Sequence, residues 1–248
     1  MDDDGISVVI LATLPDSGIK SLGSKSLLTF RGRYFIEYQL DAIRQGLKNK
    51  KYDITIMSGF DNQRMIKSLS HISTQHNIQI IKQNYENNLN FGGSLIESMN
   101  YIKYPNVLSI NYGLLFRPNI ISAMTKKHNR NNIVVSNNHS YNSNIKVGCY
   151  DQNHQIVHLF YNLGEKKYLD MNYWNKATID FIKKNILLKD HYNRFIFELV
   201  NLLISYNHSF DSLSVDPRHC LLVDSTKTLT RSKRIFSDET TKHKKTKH

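Results

Sequence analysis

The last residues of the chain hold Lys242, Lys244, Lys245 and Lys247 with no apolar side chain between Thr240 and His248. Ammonium groups on a solvated tail are phosphate-binding groups. They would serve as an arm for nucleic acid or another polyanion, or simply solubilise the terminus. His154 and His158 stand four apart in an expected strand, hence on one face. Without a neighbouring carboxylate or Cys they make a poor metal site. Trp174, Tyr168 and Tyr173 cluster near Lys166 and Lys167, where aromatic faces could stack a base or form the seam between two lobes. Cys149 and Cys220 include no CxxC, so neither a disulfide framework nor a zinc or redox motif is expected. No GxSxG, HExxH, Walker loop or paired catalytic carboxylates occur.

Charge and composition bound the partners. The chain has 248 residues, with 33 Lys and Arg against 21 Asp and Glu, a net charge of +12. Of this, +5 falls in residues 231–248, so the remaining surface is basic as well. Forty per cent hydrophobic residues supply a real core and exclude wholesale disorder. No apolar run approaches the roughly 18 residues of a membrane span. The start, Met1-Asp2-Asp3-Asp4, lacks a basic signal region. The expectation is a cytoplasmic, non-secreted protein. A virion-associated role is compatible with the residues but not required by them.

The elements that position these groups are legible in outline. Ile6–Ala12 is a continuous β-branched run, the mark of a strand buried on both faces of a parallel sheet. Residues 13–33, rich in Gly, Ser, Thr and Lys, read as a loop. Strands are predicted over Asp53–Ser58, Ile78–Ile81 and Val107–Ile110, and helices over Tyr34–Arg44, Gln63–Leu69, Gly92–Lys103 and Pro118–Met124. Four strand–helix alternations mean crossover units and a parallel sheet with helices on both faces. Then Asn132–Ser136, Ile145–Tyr150 and Gln155–Phe160 read as a smaller antiparallel patch. One helix carries Ile179, Ile182 and Ile186, and another Tyr192, Phe195, Leu199 and Leu202. His219–Val223 is a last strand and Thr226–Ile235 a closing helix. The organisation is one domain over 1–235 (a nucleotide-binding half 5–126 and an acceptor half 131–235), followed by a basic tail, 236–248.

Several segments in this order resemble the nucleotidyltransferase family, whose members join an NTP to a sugar phosphate or phosphocholine. They are ISVVILATLPDSGIKSLGSKSLL, RGRYFIEYQLDAI, QNYENNLNFGGSLIESM, NVLSINYGLLFRPNII and LLVDSTKTL. The resemblance covers roughly residues 6–235. It implies a Rossmann-like, GT-A-type α/β/α fold with a mostly parallel sheet, and ligands at the carboxyl ends of the strands. It also implies a glycine-rich phosphate loop after the first strand, with Mg²⁺ held by one carboxylate ending the fourth strand and another late in the chain.

On that pattern Gly18, Lys20, Lys25, Asn88 and Ser94 are the nucleotide- or phosphate-binding candidates, and Asp224 with Asn111 the metal candidates. Leu14 and Pro15 replace the paired glycines, and Pro15 offers no N–H. The fourth-strand aspartate falls at Gly113 or Leu114, neither of which brings an oxygen donor. Asp224 is the one carboxylate expected there, and it reads equally as a cap for the next helix. Scaffold kept and ligands lost is the pattern of a pseudoenzyme: a binding, structural or assembly component with a basic surface, whose partner is a protein, a polyanion or a nucleotide. The alternatives are an active Mg²⁺-dependent transferase of the CTP or UTP class, and a nucleotide-binding regulator without turnover.

Overall fold

The computed structural model describes residues 5–13, 25–30, 32–59, 62–73, 78–83, 89–127, 129–137, 147–164 and 166–236. In chain order the elements begin with β1 (Ile6–Ala12), the short β2 (Thr29–Phe30) and β3 (Arg33–Tyr34), α1 (Phe35–Gly46), β4 (Tyr52–Ser58) and α2 (Asn62–Ser73). They continue with β5 (Ile78–Lys82), α3 (Phe91–Ser98), β6 (Asn106–Asn111), β7 (Leu114–Phe116) and α4 (Pro118–Met124). The second half comprises β8 (Asn131–Asn137), β9 (Val147–Gln152), β10 (Gln155–Tyr161), β11 (Lys166–Trp174), α5 (Lys176–Asn185), α6 (Leu188–His191) and α7 (Ile196–Ser205). It ends with β12 (Phe210–Val215), β13 (Cys220–Leu222) and α8 (Thr226–Ile235).

One nine-stranded sheet, in the order β5-β4-β1-β6-β11-β8-β12-β10-β9, runs through both halves. The strands β5, β4, β1 and β6 are mutually parallel, as the alternating strand–helix pattern requires. All seven residues of β1 are buried, and its apolar residues, interrupted only by Ser7, pack on both sides of the sheet. Antiparallel β11 then joins β6 to β8, and parallel pairing resumes between β8 and β12. A further β9–β11 pairing curls the second half toward a small barrel.

β11 and β12 are additional to the strands expected from sequence. Tyr168, Tyr173 and Trp174 all lie in β11 and are buried, so this cluster is core and not a stacking platform. Trp174 meets Phe210 edge-on at 5.6 Å and donates from Nε1 to Ser109 Oγ at 2.8 Å. The expected helix through Tyr192 and Phe195 is broken into α6 and α7. Residues 192–195 instead cross the start of α3, accepting from the N–H groups of Asn90 at Tyr192 O and of Gly92 at Arg194 O, both at 3.0 Å. Nor do His154 and His158 share a strand face. His154 occupies the β9–β10 turn with φ +66°, and His158 lies in β10 facing Asn201. Among the described residues no cluster of three or more His, Cys, Asp or Glu could hold a metal, and no helix is long and apolar enough to cross a membrane.

Candidate functional site

The carboxyl ends of the parallel strands converge on two groups of polar side chains. The first lies where β1, β4 and β5 meet α3. Ser94, on the first turn of α3, is fully buried. Its Oγ is 2.9 Å from Thr13 Oγ1, 2.9 Å from Gln83 Oε1 and 3.0 Å from the Asn90 carbonyl. A hydroxyl has one proton, so it accepts from Thr13 while donating to the other two in alternation. Gln83 in turn donates to Glu97, and its N–H reaches Ser58 O at 2.7 Å. The hydroxyl of Ser94, a phosphate candidate from sequence, thus lies within hydrogen-bond reach of three protein oxygens.

The neighbouring glycines are also structural. A Cβ on Gly93 would lie 2.3 Å from Tyr192 O, and one on Gly92 2.5 Å from Arg194 O. These two positions let the 192–195 segment pass directly over α3. Gly18, Lys20, Asn88 and the tail lysines Lys242, Lys244, Lys245 and Lys247 lie outside the described residues. Lys25 begins a short 3-10 turn, and its side chain is likewise outside them.

The second group closes the end of β6. Asn111, its last residue, accepts at Oδ1 from the Gly113 N–H at 2.8 Å, an Asx turn built from the residue's own amide. Buried Gln39 of α1 fixes the same turn by donating to Asn111 O at 3.0 Å and Leu114 O at 2.7 Å. Leu114 is fully buried in β7, and Gly113 O accepts from Val223 N at 2.8 Å. That last bond brings the neighbouring Asp224 to this turn. Asp224 Oδ2 lies 3.5 Å from Lys167 Nζ, with side-chain exposures of 19% and 11%, so the pair is largely withdrawn from water. Its other oxygen accepts from Thr228 Oγ1 at 3.2 Å. The cap of α8 is the next residue, Ser225, whose Oγ accepts from Thr228 N at 3.2 Å.

The structure corrects the expectation that Asp224 is the one carboxylate at this end. In the antiparallel register Met171 faces Ile110, which sets Asp170 across from Asn111. Asn111 Nδ2 donates to Asp170 Oδ2 at 3.4 Å. The β11–β8 register breaks between Tyr168 and Asn172, and Asp170 sits in that break with φ +51°. Left-handed backbone in a non-glycine residue is tolerated best by Asn and Asp and tends to mark functional sites. Burial drives the nearby Tyr168 hydroxyl well above the usual phenol range, and the Asp170 charge adds to the rise. Asp170 escaped the sequence reading, although a lone acid inside the run YLDMNYW is a readable signal. Lys167 was seen only as a neighbour of aromatics.

Mg²⁺ is the ion that the resemblance in sequence implies, and Asn111 and Asp224 each have their donor atoms engaged within the protein. Asn111 turns its amide oxygen to Gly113 and its NH₂ toward Asp170. Asp224 is already partnered by an ammonium. A dication at Asp224 would share its oxygens with that ammonium and with the Thr228 hydroxyl. Strand alternation sends the adjacent Lys166 the other way, where it grips both oxygens of Asp151 at 2.7 Å. A cavity of about 430 Å³ lies there, lined by Cys149, Tyr150, Phe160 and Leu163. Burial pushes the Cys149 thiol up to about 12, with the Asp151 charge assisting, so it is no nucleophile at neutral pH.

No family model and no curated protein matches the sequence. Solved structures do match the fold along nearly its whole length. The inositol-1-phosphate CTP transferase of T. maritima is 14% identical with a TM-score of 0.72, over 93% of this chain and 94% of that one. A putative glucose-1-phosphate thymidylyltransferase of Bacillus anthracis is 11% identical with a TM-score of 0.74, over 94% and 96%. The CTP:phosphocholine cytidylyltransferase of Streptococcus pneumoniae is 13% identical with a TM-score of 0.66, over 93% and 99%.

Proposed function

We propose that this chain, which has the fold of the nucleotidyltransferases, is a catalytically degenerate binding component. It holds a nucleotide or a phosphorylated small molecule at the end of β6 without performing transfer. The observation that carries this reading is the Lys167–Asp224 pair. An internal ammonium answers the carboxylate that a metal would need, and β6 runs out in Asn111-Tyr112-Gly113 with no acid of its own. Lys167, its charge shared with Asp224, is the ammonium of this end, while Asp170 and Asn111 offer an acceptor and a carboxamide for ligand hydroxyl or amino groups. The similar proteins are named for CTP, a thymidylyl group, inositol-1-phosphate, glucose-1-phosphate and phosphocholine, which supplies the ligand classes to try.

A second reading, nucleotidyl transfer from a CTP- or UTP-class nucleotide to such a phosphate, has Asp170 in its favour. The two separate in one experiment. The full chain is incubated with each NTP and phosphorylated acceptor, with Mg²⁺ or with EDTA, and both melting temperature and pyrophosphate are followed. Binding at a hundredfold excess over Kd stabilises by about 2.7 kcal/mol, which for a chain of this size raises the melting temperature by roughly 5 to 10 °C. The expected result is that shift in both buffers, with no pyrophosphate. Pyrophosphate that disappears in Asp170→Asn or Asp224→Ala establishes transfer instead. No shift with any ligand overturns the binding role.

A further inference from the structure

We infer that the outward face of α8 docks the phosphodiester backbone of a nucleic acid. The helix starts beside the end of β6, where Thr228 meets Asp224, but the face proposed is the one turned away from it. The helix, Thr226–Ile235, reads TKTLTRSKRI, with four cations and no acid. The other described helices either carry an Asp or Glu or hold at most two cations. Its two sides are sharply divided. Leu229 and the following Phe236 pack against Phe35, Leu115 and Val223, and Ser232 between them is buried. Lys227, Arg231 and Arg234, spaced by four and then three residues, share the opposite side and are exposed.

Helix stability accounts for Lys233 and Arg234, which lie in the last turn and complement the dipole, but not for Lys227. Lys227 lies in the first turn, where a cation opposes the helix dipole. Two further arginines lie near the carboxyl end of the helix, on its core-facing side. Arg117 stacks over Phe236 at 5.5 Å, donates from Nη2 to Ile235 O at 3.5 Å, and from Nε reaches Arg218 O at 3.4 Å. Arg218 is itself exposed and paired with Asp216 at 2.7 Å.

At 1.5 Å per residue, Lys227 to Arg234 spans about 10 Å, the axial length of roughly three phosphates on one strand. Exposed Thr226 adds a hydroxyl of the kind that bonds phosphate oxygens, while that of Thr230 donates to Thr226 O at 3.0 Å. A membrane surface fits less well. Amphipathic membrane helices bury an apolar face in the lipid, and the apolar residues of α8 are spent on the protein's own core.

The test uses the full chain and a fluorescein-labelled 20-base-pair duplex of mixed sequence, with anisotropy read from 50 to 200 mM KCl. Replacing Lys227, Arg231 and Arg234 together by Gln should flatten the slope of log K against log salt by about 2 to 3, and each single replacement by about 1. The single variants keep the test valid if the triple variant unfolds, which its melting temperature reveals. A full-length variant with Lys242, Lys244, Lys245 and Lys247 changed to Gln should retain the α8 contribution. Single variants with the wild-type slope overturn the inference. So does a slope lost entirely with the tail lysines, or a loss of binding to phosphatidylserine-containing vesicles with duplex binding intact.

Discussion

At the β1–α3 end of the strand edge, Thr13, Gln83, Asn90 and Ser94 hydrogen-bond to one another beneath a crossing segment of backbone. At the β6–β11 end, Asp170, Lys167 and Asp224 bring net charges to a turn held by Asn111 and Gln39. Both ends sit where ligands of such sheets bind; among the described residues the first is knit mainly by neutral groups, with Glu97 accepting from Gln83, whereas the second gathers three charged side chains. Neutral side chains saturated by each other define a shape. Ion pairs in partial burial keep a field that a charged ligand can still meet. The difference teaches that the scaffold segments and the responsive segments of the same sequence motif set can be told apart by what their polar atoms already touch.

The largest expected effect lies at the neutral end. Gly93→Ala puts a Cβ 2.3 Å from backbone oxygen, which cannot swing aside. It should destabilise by about 3 kcal/mol in urea unfolding, at the upper end of overpacking costs. Next, Ser94→Ala strands the Thr13 hydroxyl and Gln83 oxygen in a buried site, at about 2 kcal/mol. If ligand affinity survives Ser94→Ala among the molecules that remain folded, this end is scaffold alone. Lys167→Met should lower stability less, by about 1 to 2 kcal/mol, between the values for exposed and buried pairs. A cycle with Asp224→Asn should show coupling between the two, and independence would break the comparison. The binding signal should fall with Lys167→Met and not with Ser94→Ala.

The smallest effect is in alkali. Burial raises the Tyr168 hydroxyl above its ordinary value near 10. The unfolded chain therefore loses that proton first as pH rises. The resulting stability is fully present below pH 10 and is lost above it, toward the higher folded value. Denaturation at pH 9 and 11 should show a smaller loss for Tyr168→Phe than for the wild type. Asp170→Asn should also reduce it, since the neighbouring charge contributes to the shift.

The parallel half was readable because its signals are local. Ile6–Ala12 is apolar apart from Ser7, and Pro118–Met124 and Thr226–Ile235 appear with the bounds expected from sequence. Other elements shifted by a few residues. The misreadings came where long-range packing outweighed pattern. Tyr192 and Phe195 have helical spacing, but the α3 start takes the backbone of 192–195 for its own hydrogen bonds. β11 was hidden because its polar Lys166, Lys167 and Asp170 interrupt the apolar run, and those are the residues that pair across the fold.

Composition, the strand–helix alternation of the parallel half and the missing acid at residues 113 and 114 follow from the chain alone, because each depends on residue type or on local pattern. That Asp170 faces Asn111, and that Lys167 answers Asp224, required the closed sheet. Those partners are 59 and 57 residues apart, and only strand register and the β7–β13 pairing bring them within reach.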